Sequence, residues 1–372
     1  MQAVILAGGQ GTRLFPLTLQ TPKPLLPIMG QSLLSYLVRH LTTQGIDEIL
    51  ITSGYLGGAI ARAVQGMEER VPIHVVQESV TRGTAGAVID LLPRLRSPFL
   101  VVSGDAILAL DIAALLAAHQ EAQAIATLAV MRPADHLRFG VVRVESGLVT
   151  HFVEKPGVLE LVPELLLNTG TYMLEREALE GAATDGAVDF AHEIFPRLLR
   201  AGHRLAAAPA LAFWRDIGTP ESFREAHFEA LSGEWPWPTP PAGSPPGVGP
   251  GVRITGRVGF GEGVVVGAGS RIQGPAYLGS GVHLGPGTDV TRSVLLAGSR
   301  TSGSCILRDA VVDVGVSVPH GTVVSGAILG RLAEQGRHPA PGRSHSPRHL
   351  RFPAPVADPG ASMLRPRLTT PH

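Results

Sequence analysis

The chain opens with a glycine-rich turn that is followed by two cationic side chains. Residues 6–14 read Leu6-Ala7-Gly8-Gly9-Gln10-Gly11-Thr12-Arg13-Leu14, and Pro22-Lys23-Pro24 comes shortly after them. Because glycine has no side chain, the backbone N–H groups of such a turn can approach phosphate oxygens closely. Arg13 and Lys23 add positive charge beside the turn. The pattern predicts a phosphate-binding turn at the end of the first strand.

Other known site patterns do not fit the chain. Leu14 occupies the third glycine position of a dinucleotide-binding fingerprint, and no Gly-Lys-Ser/Thr follows at the spacing of a P-loop. No Ser-His-Asp set is evident, and the histidines lack the spacing of a metal site. Asp105, in contrast, follows the predicted strand 99–102 directly. A carboxylate at the carboxyl end of a strand is well placed for Mg²⁺, which prefers carboxylate and phosphate oxygens.

Alternating strands and helices over residues 1 to about 230 must position these groups. Buried strands are predicted at 4–6, 48–52, 73–76, 99–102 and 125–130, where short β-branched runs occur. Helical patterns between them cover 33–41, 58–64 and 112–118. This alternation predicts an α/β domain at 1–232 with a Rossmann-like, mainly parallel sheet covered on both faces. Ligands of such sheets bind beyond the carboxyl ends of the strands.

The composition changes after residue 232. Residues 233–247, which are rich in proline and glycine, are predicted to form a semi-stiff linker rather than a packed element. Over 248–330 an aliphatic or aromatic side chain recurs every six residues, with one shift of phase, at Val248, Ile254, Phe260, Val266, Ile272, Leu278, Leu284, Val290, Leu296, Ile306, Val312, Val318 and Val324. This period predicts a parallel β-helix in which each flat side contributes one inward aliphatic residue per hexad.

The overall composition does not indicate a partner of either kind: we expect no nucleic acid and no membrane. The formal net charge is +0, so no global field favours either. The single cysteine, Cys305, cannot form an internal disulfide and fits a reducing cytoplasm, and no apolar stretch is long enough to span a bilayer. Residues 331–372 are rich in Pro, Arg, Ser and His and are predicted to be disordered. We therefore expect a cytoplasmic protein.

The glycine-rich turn together with Pro-Lys-Pro resembles the nucleotidyltransferase family of sugar-nucleotide pyrophosphorylases. The resemblance covers the first 230 residues or so, and it is closest to mannose-1-phosphate guanylyltransferases and glucose-1-phosphate nucleotidyltransferases. Long-form members also carry a C-terminal left-handed β-helix. The resemblance implies an enzyme that joins a nucleoside triphosphate to a sugar 1-phosphate, releases pyrophosphate and uses Mg²⁺ as cofactor.

The resemblance also implies roles for the residues of the turn and of two later motifs. The triphosphate would bind at Leu6, Gly8, Gly9, Gly11 and Thr12. As the catalytic residues, Arg13 would grip the departing β- and γ-phosphates, and Lys23 would neutralise charge on the α-phosphate. The base would face Gln77, Gly83 and Thr84, where glycine lets the backbone approach base edges and glutamine can both donate and accept.

Metal and sugar-phosphate sites follow from the same resemblance. Asp105 and Asp216, the latter in Phe213-Trp214-Arg215-Asp216-Ile217-Gly218-Thr219-Pro220, would hold one Mg²⁺. The sugar phosphate would bind at Gly140, Glu154, Lys155, Asn168 and Gly170. Because the sugar phosphate oxygen already carries charge, this chemistry needs no protein nucleophile, and catalysis is positioning plus charge neutralisation.

Several alternatives stay open at this point. The motifs favour GTP and mannose 1-phosphate, but thymidylyl, uridylyl or adenylyl transfer to glucose 1-phosphate is also compatible, as is a non-catalytic subunit that binds a sugar nucleotide. The β-helix is expected to serve homo-oligomerisation, so that truncation after residue 232 would change assembly more than chemistry. An acyltransferase activity, which would use His283 or His320, is less favoured, because no long loop insertion interrupts the hexads to form a cofactor site.

Overall fold

The structure is a computed structural model that describes residues 1–78, 80–132, 140–153, 165–182, 186–238 and 246–330. Along these residues an α/β domain built on a nine-stranded sheet is followed by a parallel β-helix. Two of the predicted sugar-phosphate residues, Glu154 and Lys155, lie outside the described residues, as does the tail 331–372.

The described residues of the α/β domain form thirteen strands and six α-helices. The strands are β1 (Gln2–Ala7), β2 (Pro27–Ile28), β3 (Gln31–Ser32), β4 (Glu48–Ser53), β5 (Ile73–Gln77), β6 (Phe99–Ser103), β7 (Ala106–Leu110), β8 (Ala126–Met131), β9 (Val141–Glu145), β10 (Leu148–Val153), β11 (Leu165–Leu174), β12 (Leu205–Ala208) and β13 (Leu211–Asp216). The helices are α1 (Leu33–Thr43), α2 (Gly57–Gln65), α3 (Gly83–Ile89), α4 (Ile112–Glu121), α5 (Phe195–Arg200) and α6 (Pro220–Ser232). Every strand and helix predicted from the alternating pattern is present.

The nine-stranded sheet has the order β5-β4-β1-β6-β11-β8-β12-β10-β9. Strand β1 pairs in parallel with both β4 and β6, and its residues are buried on both faces: Val4 packs into one apolar cluster, and Ala3 and Ile5 pack into the other. Burial on both faces explains the continuous apolar run of β1. The α/β class is confirmed. Most strands of the described sheet run in one direction, as predicted, and β10 and β11, the latter inserted between β6 and β8, run opposite to the others.

Strand register brings three separated motifs to one edge of the molecule. Leu6 of β1 pairs with Ser103 of β6, so the glycine-rich turn and the Asp105 segment leave the sheet side by side. Strand β7 then pairs antiparallel with β13, with Ala106 opposite Asp216. The two predicted metal ligands are therefore neighbours in space although about half of the α/β domain separates them in sequence.

The β-helix consists of three parallel five-stranded sheets, as in left-handed hexapeptide-repeat β-helices. The first sheet is β14 (Gly247–Val248), β17 (Val265–Val266), β20 (His283–Leu284), β23 (Arg300–Thr301) and β26 (Ser317–Val318). The second is β15 (Arg253–Thr255), β18 (Arg271–Gln273), β21 (Asp289–Thr291), β24 (Ile306–Arg308) and β27 (Val323–Ser325). The third is β16 (Val258–Phe260), β19 (Ala276–Leu278), β22 (Val294–Leu295), β25 (Val311–Val312) and β28 (Ile328–Leu329).

Two of the inward positions predicted from the hexads are wrong by one residue. Leu295, not Leu296, pairs with Leu278 and lies in the β-helix core, and Leu307, not Ile306, pairs with Val290. The step from Val290 to Leu295 is one residue shorter than a hexad. A strict six-residue count therefore loses the register at this corner.

The start of the predicted linker is packed rather than extended. Trp235 is 6% exposed, and its ring meets Tyr36 at 5.4 Å and Phe213 at 5.7 Å between centroids. Trp237 packs beside it, 5.4 Å away. The aromatic side chains belong to the apolar core of the α/β domain, so proline content alone misjudged this segment.

Candidate active site

A cleft of about 420 Å³ opens at the carboxyl ends of β1 and β6. Its lining includes every residue predicted to bind the triphosphate, together with both predicted catalytic cations: Leu6, Gly8, Gly9, Gly11, Thr12, Arg13 and Lys23. Gly11 adopts φ +63°, a left-handed conformation that favours glycine, and a side chain there would press on Thr18 and Lys23. The turn therefore has the backbone shape that its glycines predicted.

Lys23 lies between the two aspartates at the edge of this cleft. Its Nζ donates to Asp105 Oδ2 at 2.7 Å and is 3.7 Å from Asp216 Oδ1. Ser103 Oγ donates to the second oxygen of Asp105 at 2.5 Å. The Lys23 side chain is 7% exposed and the Asp105 side chain 43%. The Lys23 ammonium group is thus almost completely buried, while the Asp105 carboxylate stays accessible from the cleft.

Arg13 reaches the same cluster because Gly218 has no side chain. A methyl group on Gly218 would overlap the Asp216 carboxylate and would lie 2.8 Å from Arg13 Nη2. The Gly218 of the Asp-Ile-Gly motif therefore has a steric role: it lets the guanidinium approach the segment that carries Asp216. Two cations and two carboxylates converge within this small region.

The environment separates the pKa values of the two aspartates. Burial acts to raise the pKa of Asp105, but the attraction of Lys23 and the hydrogen bonds from Lys23 and Ser103 outweigh it and hold that pKa below its usual range. Burial raises the pKa of Asp216, and the neighbouring charge of Asp105 adds to this effect despite the attraction of Lys23. Asp105 is therefore the more acidic of the two carboxyl groups.

The donor set fits a hard divalent cation that is shared with a ligand. Oxygens of Asp105 and Asp216 converge on one cationic atom, Lys23 Nζ, which shows that both carboxylates can face a single point. Within the described ranges no cluster of three or more His, Cys, Asp or Glu side chains forms a complete metal site. Mg²⁺ commonly binds through one or two carboxylates and completes its shell with water and phosphate oxygens.

The cleft continues toward β11 through two smaller spaces of about 290 and 200 Å³. Asn168 lines both spaces, Gly170 the larger and Gly140 the smaller, so three of the five predicted sugar-phosphate residues come together here. The Tyr172 hydroxyl and the Gly170 N–H both donate to Asn168 Oδ1, at 3.1 and 3.3 Å. Since these bonds use the carbonyl oxygen, the amide NH₂ group is the end that can donate to a ligand.

His192 also lines both of these spaces and was not predicted as a site residue. It lies in the π-helical turn Phe190–Ile194, whose first N–H groups, of Ala191 and His192, are capped by Asp189 Oδ1. Only its place in the lining of the same two spaces as Asn168 marks it. Nothing in the surrounding sequence distinguishes it from the other histidines of the chain.

The segment predicted to face the base lines the cleft, with one exchange of residue. Gly83 and Thr84 line it, but Gln77 does not: Gln77 is exposed at the end of β5, and the next residue, Glu78, lines the cleft instead. A methyl group on Gly8 would lie 2.7 Å from Glu78 Oε1, so this carboxylate lies against the glycine-rich turn. Burial raises the pKa of Glu78, although hydrogen bonds oppose the shift.

Gly83 and Thr84 fix the start of α3 against the π-helical turn. Gly83 has φ +74°, and a side chain there would overlap the backbone of Val188. Thr84 Oγ1 donates to Asp189 Oδ2 at 2.6 Å and accepts from Phe190 N–H at 3.1 Å. Thr84 lies between the larger and smaller parts of the cleft, because it lines both.

The chain is similar to known proteins in both of its parts. The family model described as "Nucleotidyl transferase" matches residues 2–233, and the model "GlmU-like, C-terminal hexapeptide" matches residues 255–327. Relatives include the mannose-1-phosphate guanylyltransferase of Mycobacterium tuberculosis, 33% identical over 64% of this chain and 67% of its own length. Another is the mannose-1-phosphate guanylyltransferase catalytic subunit beta of Xenopus tropicalis, 31% identical over 60% of this chain and 62% of its own length.

Among solved structures, HddC from Yersinia pseudotuberculosis is similar, with a TM-score of 0.53 and 25% identity. The likeness covers 62% of this chain and 99% of HddC, and HddC has also been solved in complex with GMP-PN. The chain spans about two thirds of the length of the curated relatives it matches. The match over residues 2–233 and the cleft at the ends of β1 and β6 show that this chain belongs to the nucleotidyl transferase family and carries a hexapeptide-repeat domain.

Proposed function

We propose that this protein transfers the nucleotidyl group of GTP to mannose 1-phosphate, giving GDP-mannose and pyrophosphate. The observation that carries the proposal is the convergence of Arg13, Lys23, Asp105 and Asp216 at one edge of the glycine-lined cleft. Family membership supports nucleotidyl transfer, and the names of the relatives support the choice of sugar and base.

In the proposed reaction, an oxygen of the sugar phosphate attacks the α-phosphorus while the bond to pyrophosphate breaks on the opposite side. The glycine-rich turn holds the triphosphate through backbone N–H groups, and Arg13 holds the β- and γ-phosphates that depart. Lys23 lies beside Asp105 and neutralises charge that develops on the α-phosphate. A Mg²⁺ ion held by Asp105 and Asp216 would supply further charge neutralisation and orientation at that phosphate.

Glu78 supports guanine as the base. An ionised carboxylate only accepts hydrogen bonds, and the edge of guanine presents two adjacent donors, N1–H and the exocyclic NH₂ group. Uracil and thymine present one donor flanked by two carbonyl acceptors, which a carboxylate repels. Adenine presents one donor beside an acceptor nitrogen. Glu78 lies in the cleft beside Thr84 and the glycine-rich turn, and it replaces Gln77 in the base-reading role of this proposal.

The space around Asn168 is the proposed sugar-phosphate compartment. It adjoins the triphosphate cleft through Leu6, Thr84 and Ser103, which line both. The amide group of Asn168 and the ring of His192 offer polar contacts to sugar hydroxyls or to the phosphate. The predicted contacts of Glu154 and Lys155 remain part of the proposal.

Pyrophosphate release, measured over a grid of nucleoside triphosphates and sugar 1-phosphates with Mg²⁺, tests the proposal. We expect one preferred pair, GTP with mannose 1-phosphate. A preference for dTTP, UTP or ATP, or for glucose 1-phosphate, would keep the reaction and change the substrate. Folded protein that is silent over the whole grid, yet binds a sugar nucleotide in calorimetry, would favour the binding-subunit reading.

We also propose that the protein is a cytoplasmic homo-oligomer. The hexapeptide-repeat domain supports assembly, since stacked flat coils present a rigid surface to another subunit. Within the described residues, no helix combines the length and the apolar character needed to cross a membrane. The mass of the purified chain in solution, measured by light scattering, tests the assembly.

A further inference from the structure

One outer face of the β-helix is apolar. In the third sheet, strand register aligns a column of outward-facing residues, which contains Gly259, Tyr277, Val294, Val311 and Ile328. Their chain neighbours, among them Leu278, Leu295 and Val312, point the other way, into the β-helix core. The outward members Tyr277, Val294 and Val311 are 5% exposed or less, so this face is covered.

The outward residues of the other two faces are mostly polar and exposed, which makes the apolar face distinctive. The first sheet presents His283, Arg300 and Ser317 outward, and the second presents Arg271 and Gln273. A solenoid that needed only its own core would carry polar residues on all three sides. The third side is therefore built to pack against something.

That partner is the α/β domain, and in particular the segment that joins Arg13 to Lys23. Leu14 and Leu17, which lie between Arg13 and Lys23, belong to one buried cluster with the column residues Tyr277, Val294 and Val311. Ile217, the residue after Asp216, is 0% exposed in the same cluster.

The last coil directly contacts the segment that follows the glycine-rich turn. A methyl group on Gly330, which directly follows β28, would overlap the ring of Pro16. Pro16 lies three residues after Arg13 in the same segment and is not among the described residues that line the cleft. The end of the β-helix therefore limits where this loop can lie.

Polar contacts hold helix α6 to the β-helix at the same interface. Arg224 is 6% exposed and donates from Nη1 to the Asp309 carbonyl oxygen at 2.6 Å. Arg292 pairs with Glu225 at 2.9 Å and with Asp309 at 3.2 Å. Because α6 begins at Pro220, shortly after Asp216, these contacts also anchor the segment that carries the second aspartate.

We infer that the β-helix is a positioning element of the active site. The outward column of its third sheet, together with Gly330, supports the segments that carry Arg13 and Asp216 and thereby sets the positions of these two residues. The inference rests on the proposed function, because those two residues act on the triphosphate and its metal. It differs from the expectation that the β-helix serves assembly alone. Among the described residues, none of those lining the cleft comes from the β-helix, so the β-helix would act through the segments that it supports.

Gly330→Ala tests the direct contact, with Gly247→Ala as its matched control. Both glycines have ordinary φ values, but only Gly330 meets a neighbouring ring; a methyl group on Gly247 has no atom closer than 4.0 Å. We expect G330A to lower kcat/KM tenfold or more and to weaken binding of the triphosphate in calorimetry, while G247A stays within twofold of the wild type. In a P16A background the G330A substitution should have a much smaller effect, because the opposing ring is gone.

Val311→Ala and Val312→Ala form a second matched pair, which keeps the test sharp if G330A folds poorly. Both valines are 0% exposed and adjacent, but Val311 belongs to the cluster shared with the α/β domain and Val312 to the β-helix core. Both substitutions should lower Tm by a similar amount, and only V311A should also change kcat and the triphosphate affinity of the folded protein.

The outcomes separate this inference from the proposed function. Wild-type protein that is active, with G330A and V311A unchanged in kcat/KM, would overturn the positioning role and leave the function standing. Wild-type protein that binds a triphosphate without turnover would contradict the proposed function. In that case the affinities of the two variant pairs still decide the positioning role, since Arg13 grips the same phosphates.

Discussion

At the residue scale, the proposed chemistry depends on how four charged side chains share a small space. Lys23 and Arg13 favour the ionised forms of both aspartates, whereas burial opposes them. The balance differs between the two: Lys23 donates directly to Asp105 and is 3.7 Å from Asp216. A cluster in which charge is nearly balanced tolerates burial, and removal of one member leaves the others unpaired.

Replacement of Asp105 by Asn tests this cluster. The amide cannot neutralise a divalent cation or pair with Lys23, so we expect Mg²⁺-dependent turnover to fall by about a hundredfold or more, with the fold retained. Asp289→Asn, on the second sheet of the β-helix, is the control and should leave turnover unchanged. Pyrophosphate release and thermal unfolding are the measurements. Near-normal turnover of D105N would remove Asp105 from the proposed metal site.

Replacement of Glu78 by Gln tests the choice of base. Glutamine both donates and accepts, so it matches the edge of uracil or thymine better than that of guanine. We expect the ratio of kcat/KM for GTP over UTP to fall by about tenfold to a hundredfold, in line with ~1–3 kcal/mol for a bidentate base contact. Gln77→Ala is the control, because Gln77 does not line the cleft. A change in selectivity with Q77A and none with E78Q would restore the original assignment of Gln77.

At the element scale, helix α6 joins the two architectures. It begins with a capping box in which Thr219 and Ser222 exchange hydrogen bonds. Its inner face buries Phe223, His227 and Phe228. His227 is 0% exposed, its ring lies 5.3 Å from that of Tyr277, and its Nδ1 is 2.9 Å from the Phe223 carbonyl oxygen. A titratable ring thus sits inside the interface that supports the Asp216 segment.

The buried ring predicts a specific loss of stability in acid. Burial lowers the pKa of His227 from 6.5 to about 4, so the unfolded chain takes up a proton at a higher pH than the folded chain does. The stability is complete above about pH 6.5 and is lost as the pH falls toward 4. From pH 7.5 to 5 the loss from this one group is on the order of 2 kcal/mol.

His227→Asn isolates this contribution, since the amide can still donate to the Phe223 carbonyl but does not titrate. We expect the difference in free energy of unfolding between pH 7.5 and pH 5 to be smaller in H227N than in the wild type. His283→Asn, at an exposed histidine of the first sheet, should leave that difference unaltered. Equal pH dependence in wild type and H227N would show that another group is responsible.

At the scale of the whole molecule, the α/β domain and the β-helix share one apolar cluster. Leu14, Leu17 and Ile217 come from the first, and Val294 and Val311 from the second. Trp235 packs into the same cluster, so the connection between the two parts is itself part of the core. A domain whose active-site loops rest on a second domain is not expected to function independently.

Truncation after residue 232 tests this dependence. The cut removes Trp235 and the outward column of the third sheet, so it exposes Leu14, Leu17 and Ile217, which pack in the same cluster. We expect the shortened chain to lose at least tenfold in kcat/KM and to become prone to aggregation, in addition to any change in mass. Light scattering and pyrophosphate release are the measurements. A soluble truncated chain with full turnover would show that the β-helix serves assembly only.

The motifs in the sequence were sufficient to predict the family, the succession of an α/β domain and a β-helix, and most of the cleft. This is possible because the glycine-rich turn, the buried strands and the hexads are local patterns, set by backbone conformation and side-chain periodicity. Gly11 illustrates the point: its φ of +63° follows from its place in the turn. Most of the inward hexad positions follow in the same way from spacing alone.

Only the tertiary structure decided what faces what. Gln77 and Glu78 are adjacent in the chain, and only Glu78 lines the cleft, because neighbouring residues of an extended segment point to opposite sides and packing decides which side meets the cleft. His192, Trp235 and the contact of Gly330 with Pro16 depend on residues far apart in sequence that packing brings together. Long-range packing leaves no periodic pattern in the sequence. Local patterns therefore predicted the parts of the site, whereas the fold determined which distant residues support them.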